Sequence, residues 1–445
     1  MKMTTKLFQR LAVVAMLPIG FSAVAQRQDM QYFRPNDKRG INVFETTKSD
    51  TTGFDHLKVK VGGNFTQDFQ SLKHENSATP VIVNGVNTTQ LASLTSGFNL
   101  AMANLNIDAQ LADGIRMNLT MYLSARHHEE TWVKGGYVQF DKLPFLKSDL
   151  IDNIMKSITI KVGDYEVDYG DQHFRRTDGG NAIYNPFVEN YIMDQFATEI
   201  GGEIYYHHRS GIMAMAGISN GELNPTVIAS SKIDSATGKL NKYAPAFHGK
   251  IGYDKQLNKD FRFRLTGSVY AVKSAASSTL FGGDRTGSHY FFAMENTAAT
   301  ADGNAFSGRF NPRFSEQVTT IMINPFIKYK GLELFGSYEI AQGRTIAERN
   351  MRTATQYAAD LIYRFTARNE NFWVGARYNS VTAAMVATSK DITINRMAGS
   401  LGWFATKNIM LKAEYVNQQY NNFIATDIRS GGMFSGFVGE ASIGF

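Results

Sequence analysis

The chain has 445 residues, 46 Lys plus Arg against 40 Asp plus Glu, a net charge of +6 and no Cys. Lack of Cys excludes a disulfide scaffold, Cys-ligated zinc or iron–sulfur sites, and thiol catalysis. With 31 Phe, 20 Tyr and 39 Gly against 9 Pro, the composition suits a β-rich chain with many tight turns.

Residues 1–25 read as a secretory signal. Lys2, Lys6 and Arg10 make a basic start, residues 11–21 a short apolar run, and Ala23-Val24-Ala25 a small-residue cleavage site before Gln26. The run is far short of the ~20 residues that span a bilayer as a helix. Losing the three basic residues lowers the net charge to +3, so the high pI is no sign of a nucleic-acid partner. Residues 26–55 are polar and mixed in charge, and we expect an extension ahead of a barrel, tucked into its lumen. From 56 to 445 the chain follows a period of two.

In 117–126, Met117, Leu119, Met121, Leu123 and Ala125 alternate with Asn118, Thr120, Tyr122, Ser124 and Arg126. In 261–271, Phe261, Phe263, Leu265, Gly267, Val269 and Ala271 alternate with Arg262, Arg264, Thr266, Ser268 and Tyr270. Strand side chains point to opposite faces in turn, so each segment carries one apolar and one polar face. Sixteen such segments start near Leu57, Phe98, Ile115, Trp132, Ser157, Glu199, Ile212, Ala246, Phe261, Thr319, Leu332, Thr355, Phe372, Ile392, Ile409 and Met433.

Their connections alternate long and short. Asp113-Gly114, 207–211, 255–259, Lys330-Gly331, 369–371 and Lys407-Asn408 suit tight hairpins. Segments 71–95, 170–198, 220–243, 273–317, 342–352, 381–390 and 421–432 are long. Residues 126–131 are short where a long loop is due. Residues 143–156 are long where a turn is due, and 148–155 predicts a short helix by its apolar spacing. The expected fold is all-β: a transmembrane antiparallel up-and-down barrel of sixteen strands, with short turns and both termini on the periplasmic side. Tyr206, Tyr253, Tyr329, Tyr363 and Tyr415 recur near strand ends, as an interfacial girdle requires. The competing expectation is a soluble sandwich or propeller, with apolar faces inward.

The stretch 158–170 (ITIKVGDYEVDYG), the long loop after it, 199–206 (EIGGEIYY) and the Gly-containing strand 212–220 together resemble Gram-negative outer-membrane porins of the phosphate-selective (polyphosphate) type. In that family a strand reading "GDF…FG" leads into a third outer loop that folds into the pore. Gly163-Asp164-Tyr165 and Tyr169-Gly170 occupy comparable places. No lysine run or arginine ladder carries over a phosphate site. The resemblance implies an integral protein of the cell outer membrane.

Barrels of 16–18 strands are wide enough for an aqueous channel. The polar phase gives Lys58, Lys60, Arg116, Arg126, Lys161, Lys250, Arg262, Arg264, Lys328, Arg364, Arg377 and Lys412 as lumen-facing, against Asp108, Glu203, Glu333, Glu339, Asp360 and Glu414. Basic rings favour anions, so we expect passive diffusion of small polar solutes with a mild anion preference. In the third loop, His173, Arg175, Arg176 and Asp178 are the constriction candidates, with Arg175 and Arg176 at the narrowest point and Gly179-Gly180 as a bend. The loop 273–317, with Phe281, Tyr290, Phe291, Phe292 and Phe306, is expected to cap the mouth or touch a neighbouring barrel. The alternative function is a plugged barrel acting as a surface receptor or as the anchor of an outer-membrane complex.

Gly217-Ile218-Ser219-Asn220-Gly221 spells G-x-S-x-G, but it lacks the strand–turn–helix setting of a nucleophile elbow. His127-His128-Glu129-Glu130 and His207-His208 are adjacent pairs whose side chains diverge in a strand. No enzyme activity, metal or cofactor is therefore expected. The expected partners are outer-membrane lipids and lipopolysaccharide, small polar or anionic solutes, and further copies in a homotrimer, with no nucleic acid.

Overall fold

The computed structural model describes residues 30–124, 131–177, 182–224, 226–283, 290–386, 388 and 390–445. The signal segment, Arg126, His127, His128, Asp178 and Gly179-Gly180 lie outside the described residues.

Period-two alternation becomes strand after strand because one face of each segment is apolar and the other polar. In chain order these are β1 Lys58–Glu75, β2 Met102–Ala112, β3 Ile115–Ser124, β4 Thr131–Phe140, β5 Ile158–Glu166, β6 Thr198–His207, β7 Ile212–Ser219 and β8 Ala246–Gln256. They continue as β9 Phe261–Val272, β10 Gln317–Tyr329, β11 Leu332–Arg344, β12 Arg352–Arg364, β13 Phe372–Ala383, β14 Ile392–Phe404, β15 Ile409–Asn421 and β16 Met433–Gly444. Each pairs antiparallel with its chain neighbour, and β16 returns to β1 from Asn64↔Gly444 to Glu75↔Met433. Gly97–Phe98 adds a two-residue segment beside β1, ahead of β2. The C-terminal residue helps close the seam: Phe445 and Gly63 exchange two backbone hydrogen bonds of 3.0 Å. No edge is left at the seam, which is what a wall in lipid requires.

The expected connections hold among the described residues; the short one at 126–131 lies outside them. Lys330 has φ 53° and Gly114 φ 72°, so both tight turns use the left-handed region. The connection between β4 and β5 carries α1, Asp149–Met155, whose N-cap Ser148 accepts from the Ile151 N–H.

The wall is greasy outside. In β10, Ile321 and Ile323 are exposed while Thr320 and Asn324 are fully buried. Tyr206, Tyr329 and Tyr363 lie exposed near the periplasmic strand ends, and Phe372 stacks on Trp403 beside them. A soluble sandwich would bury this set, so that expectation is overturned.

One expectation needs correcting: a single apolar phase does not run through every strand. At the outer ends of β9 to β16 the phase swaps. Val318, Val381, Ile392, Ile394, Val416 and Phe434 point inward and are buried, while Thr319, Thr382, Asn395 and Gln419 face out. These strands have 12 or 13 residues, more than the 9–11 that cross a bilayer. Their outer ends therefore stand in water, and inside them the long loops fold into an apolar core. That core joins Val188, Ile192 and Met193 to Leu280, Phe281, Phe291 and Phe310 and to the wall.

Candidate functional site

The lumen is occupied by three pieces of the chain, each pinned to the inward face of the wall. The first is the N-terminal segment, 30–57, which crosses the periplasmic mouth. Gln31 reaches the β2–β3 turn, its backbone N–H donating to Gln110 Oε1 at 3.0 Å and its side chain to Asp113 at 2.9 Å. Across the barrel, the Lys38 N–H donates to the Lys407 carbonyl at 2.8 Å. Asn42 donates to Glu333 at 2.6 Å. Glu45 pairs with Arg264 at 2.7 Å and Lys250 at 3.2 Å, and Lys48 with Asp141 at 3.1 Å. Burial alone would push the Glu45 pKa up, but the charges of Arg264 and Lys250 hold it at about 2.

The second piece is the third outer connection, 167–197, which dives inside as the porin resemblance implies. Asp171 accepts from Arg264 and Thr266 at 2.8 Å. Tyr169 donates to Glu339 at 2.9 Å and Tyr191 to Asp360 at 2.7 Å. The Ile192 and Met193 N–H groups donate to Asn379 and Gln356. Asp168 lies between His173, at 2.8 Å, and Lys250. Burial again opposes its ionisation, and Lys250 and His173 outweigh it, holding the pKa at about 2. The third piece, 273–316, caps the outer mouth. The Phe196 N–H donates to the Leu280 carbonyl and the Phe310 N–H to the Ile192 carbonyl.

This packing decides where the expected site residues lie. Arg175 is buried against Glu333, at 3.3 Å, and Asp360, at 3.9 Å. Arg176 forms a two-pronged pair with Asp194 at 2.7 and 2.8 Å. His173 lies tilted against Phe174 and between Asp168, at 2.8 Å, and Glu166, at 3.8 Å. On the wall, Arg116 pairs with Asp108 (3.4 Å), Lys161 with Glu203 (3.0 Å), Arg262 with Asp254 (2.6 Å) and Arg364 with Glu333 (3.0 Å). Arg377 pairs with Asp360 (2.7 Å) and Lys412 with Glu440 (2.9 Å). Lys328 bridges Glu370 and Glu333 at the periplasmic mouth. All of these wall residues are inward, as their strand phase requires. The same phase holds residues the sequence reading left out: Arg396 on the basic side, and Asp68, Glu199, Asp254 and Glu440 on the acidic side. The wall charges are therefore closer to balance than the sequence tally suggests, and they are mostly paired.

One sector stays open. Opposite the plug, Asn118, Thr120, Lys134, Tyr137, Lys161, Asp164 and Glu166 keep part of their surface, whereas the inward residues of β10 to β15 are almost all buried. Here a chamber of about 250 Å³ runs inside β2–β6, walled on its inner side by Phe33, Arg34, Phe44, His173 and Phe196. A larger periplasmic chamber of about 1450 Å³ lies below it, bounded by the N-terminal segment, α1 and Arg262. The two share Phe44, Glu45 and His207 in their walls. The upper chamber is aromatic and ionic at once: Lys161 Nζ lies 5.2, 4.9 and 5.6 Å from the Tyr137, Tyr165 and Tyr205 ring centres.

The wall is locally incomplete beside this chamber. β4 and β5 pair only from Phe140↔Ile160 to Gly136↔Asp164. Above that, among the described residues, Thr131–Gly135 has β3 alone as a strand neighbour. Gly163, at φ 140°, packs against Tyr137 at this point, where a side chain would strike the β4 backbone.

The G-x-S-x-G stretch is not an elbow: Ser219 ends β7 and donates to Glu199. His208 contacts Ser210 in a tight turn.

No family model matches the chain, and no curated protein matches its sequence. Solved structures do. An anion-selective porin from Comamonas acidovorans aligns over 88% of this chain and 100% of its own, at 10% identity and a TM-score of 0.51. The outer membrane channel DcaP of Acinetobacter baumannii aligns over 88% and 99%, at 10% identity and a TM-score of 0.47. OmpT, an outer membrane protein of Vibrio cholerae, gives 88% and 99%, 9% and 0.47. At such identities the first likeness speaks to architecture alone, and the other two carry no weight. The chain has the closed, sixteen-stranded antiparallel barrel of outer-membrane porins.

Proposed function

We propose that the chain is an outer-membrane channel for passive diffusion of small polar solutes, in which the N-terminal segment and the third loop confine passage to the off-axis chambers along β2–β6. The observation that carries this is the contrast between the two halves of the lumen. Charged groups facing β10–β15 are almost all buried in pairs, while in the β2–β6 sector Lys134, Lys161, Asp164 and Glu166 keep solvent contact beside the buried Asp108, Arg116, Glu199 and Glu203. His173 belongs to that conduit. Arg175 and Arg176 act as pins that hold the loop, and only indirectly as a constriction.

The ion preference is weak in this proposal. The anion preference expected from the sequence rested on an excess of basic residues, and Asp68, Glu199, Asp254 and Glu440, set against Arg396, narrow it. Liposome swelling tests the channel: proteoliposomes should admit glycerol and small sugars and exclude larger oligosaccharides. No swelling with any of them contradicts it. The second reading, a plugged barrel serving as receptor or anchor, draws on the same buried pinning of 30–57 and 167–197. It requires that nothing pass at all.

A further inference from the structure

The upper chamber touches both faces of one strand. Thr159, Lys161 and Tyr165 line it from the inward phase of β5. Asp164 and Glu166 line it too, and they stand in the outward phase. Asp164 pairs with Ile200, which is 49% exposed, and Val162, two residues earlier, is exposed to the same degree. Thr198, opposite Glu166, is also in the outward phase of its strand, yet it is buried and lines the chamber. A cavity meets both faces of a sheet by passing through a break in it. The break here is the missing pairing above Gly136↔Asp164, where β4 runs on to Thr131 with, among the described residues, β3 alone as strand neighbour.

This break lies at membrane depth. Tyr206, of the periplasmic girdle, pairs with Ile158, and Asp164 is six residues further along β5. That is about 20 Å of strand, or about 15 Å of height in a tilted wall whose apolar band is about 25 Å tall. A sheet edge at such a level is tolerated where it lines a water-filled cavity. Gly135 and Gly136 put no side chain in the way, and a bulge between Val133 and Gly135 turns Lys134 into the chamber, over the Phe196 ring at 4.9 Å. On the outer side Val133, opposite Met121, is exposed. On the inner side Phe196 and Tyr137 offer aromatic faces beside two cations, Lys134 and Lys161, and two carboxylates, Asp164 and Glu166. A head group of either charge would meet a like charge here, whereas a hydroxyl both donates and accepts. At about 250 Å³ the chamber takes one head group and one chain end, not a two-chain lipid.

We propose that the break between β4 and β5 is a lateral portal, through which single-chain amphiphiles with an uncharged polar head, of the monoacylglycerol kind, pass between the lipid phase and the upper chamber. The chain stays on the lipid side, beside Val133 and the two glycines, and the head enters among Lys134, Tyr137 and Asp164. The portal shares its chamber with the conduit proposed above, but access from lipid does not require that any solute cross the barrel.

Photo-crosslinking of the full chain in proteoliposomes tests it. The probe is a monoacylglycerol with a diazirine on its chain next to the ester, and a phosphatidylcholine and a free fatty acid carrying the same chain are its controls. The monoacylglycerol should label the inward residues Thr120 and Tyr137 as well as the outward Ile200; the phosphatidylcholine should label Ile200 alone, and the fatty acid should reach the inward pair severalfold less. Gly136→Leu sets an apolar side chain on the outer face at the break, where its Cβ meets the flexible end of Leu119 at 3.3 Å and the Asn118 carbonyl at 3.6 Å. Once heat-modifiable gel mobility shows this variant folded, its inward labelling should fall severalfold while that of Ile200 stays. Monoacylglycerol adducts confined to outward residues, or inward labelling unchanged in the folded variant, would overturn the portal. Inward labelling as strong from either control would overturn the class of amphiphile. Inward labelling in a protein that passes no solute would leave the portal standing and remove the channel; solute passage without inward labelling would do the reverse.

Discussion

Glu45 fastens the N-terminal segment to two buried cations, and its removal should release that segment. Its carboxylate is buried between Arg264 and Lys250. Taking one partner from a buried ion pair costs about 3–5 kcal/mol. Arg264 keeps Asp171 at 2.8 Å and Asp254 at 3.1 Å, and Lys250 keeps Asp168 and Asp171. The remaining carboxylates cushion the loss, so we expect Glu45→Ala to cost about 2–3 kcal/mol of docking free energy, roughly 30- to 150-fold in the docked-to-released ratio. Limited trypsin digestion reads this at Lys48-Ser49, since the Lys48 side chain is 9% exposed and bonded to Asp141 and the Ile158 carbonyl. Cleavage there should be slow in the parent chain and faster by more than tenfold in the variant, with the barrel itself uncut. Identical cleavage rates in the two would refute the idea that this ion cluster seats the plug.

Three other outcomes are expected. Gly163→Ala should prevent correct closure beside the chamber, because its backbone has φ 140° and the new Cβ would strike the Gly136 carbonyl and sit 2.7 Å from Tyr137 Cα; heat-modifiable mobility should be lost, and retention of it would contradict the geometry. Ile321→Arg, on the outward face of β10, should lower folding stability in lipid vesicles by roughly 2–4 kcal/mol, and an unchanged urea midpoint would argue that this face does not meet lipid. The carboxylates of Glu45 and Asp168 have pKa values depressed to about 2 by their cationic partners. Their contribution is therefore fully present above the unfolded carboxylate range, near pH 4, and is lost as pH falls toward 2. Tryptic sensitivity cannot be read at such pH, but pepsin can, and the N-terminal segment should become pepsin-labile only as pH nears 2; lability already at pH 4 would contradict the pairing.

Much of the barrel is legible in the sequence because a bilayer wall leaves the strand little freedom. The side chains of 261–271 must alternate, and Asp113-Gly114 or Lys330-Gly331 must turn, so strand count, order and closure follow. Even the exception, α1, announces itself in the spacing of Leu150, Ile151 and Ile154. What alternation cannot see is how the interior is filled. Ile392 and Ile394 point inward not toward water but toward Ile192 and Phe291, which come from loops far away in sequence. The pairing of Arg175 with Glu333 and Asp360, or of Glu45 with Arg264, depends on where a long loop lands, and no local pattern encodes that. Arg396 and Glu440 could have been found, since both sit in the inward phase of their strands.

Single-channel recording in planar bilayers tests the central claim most directly, comparing the full chain with one from which residues 30–55 are deleted. A conduit narrowed by an internal plug predicts small, discrete conductance steps for the full chain and distinctly larger ones after the deletion. Silence from both proteins, or steps of the same size from both, would contradict it.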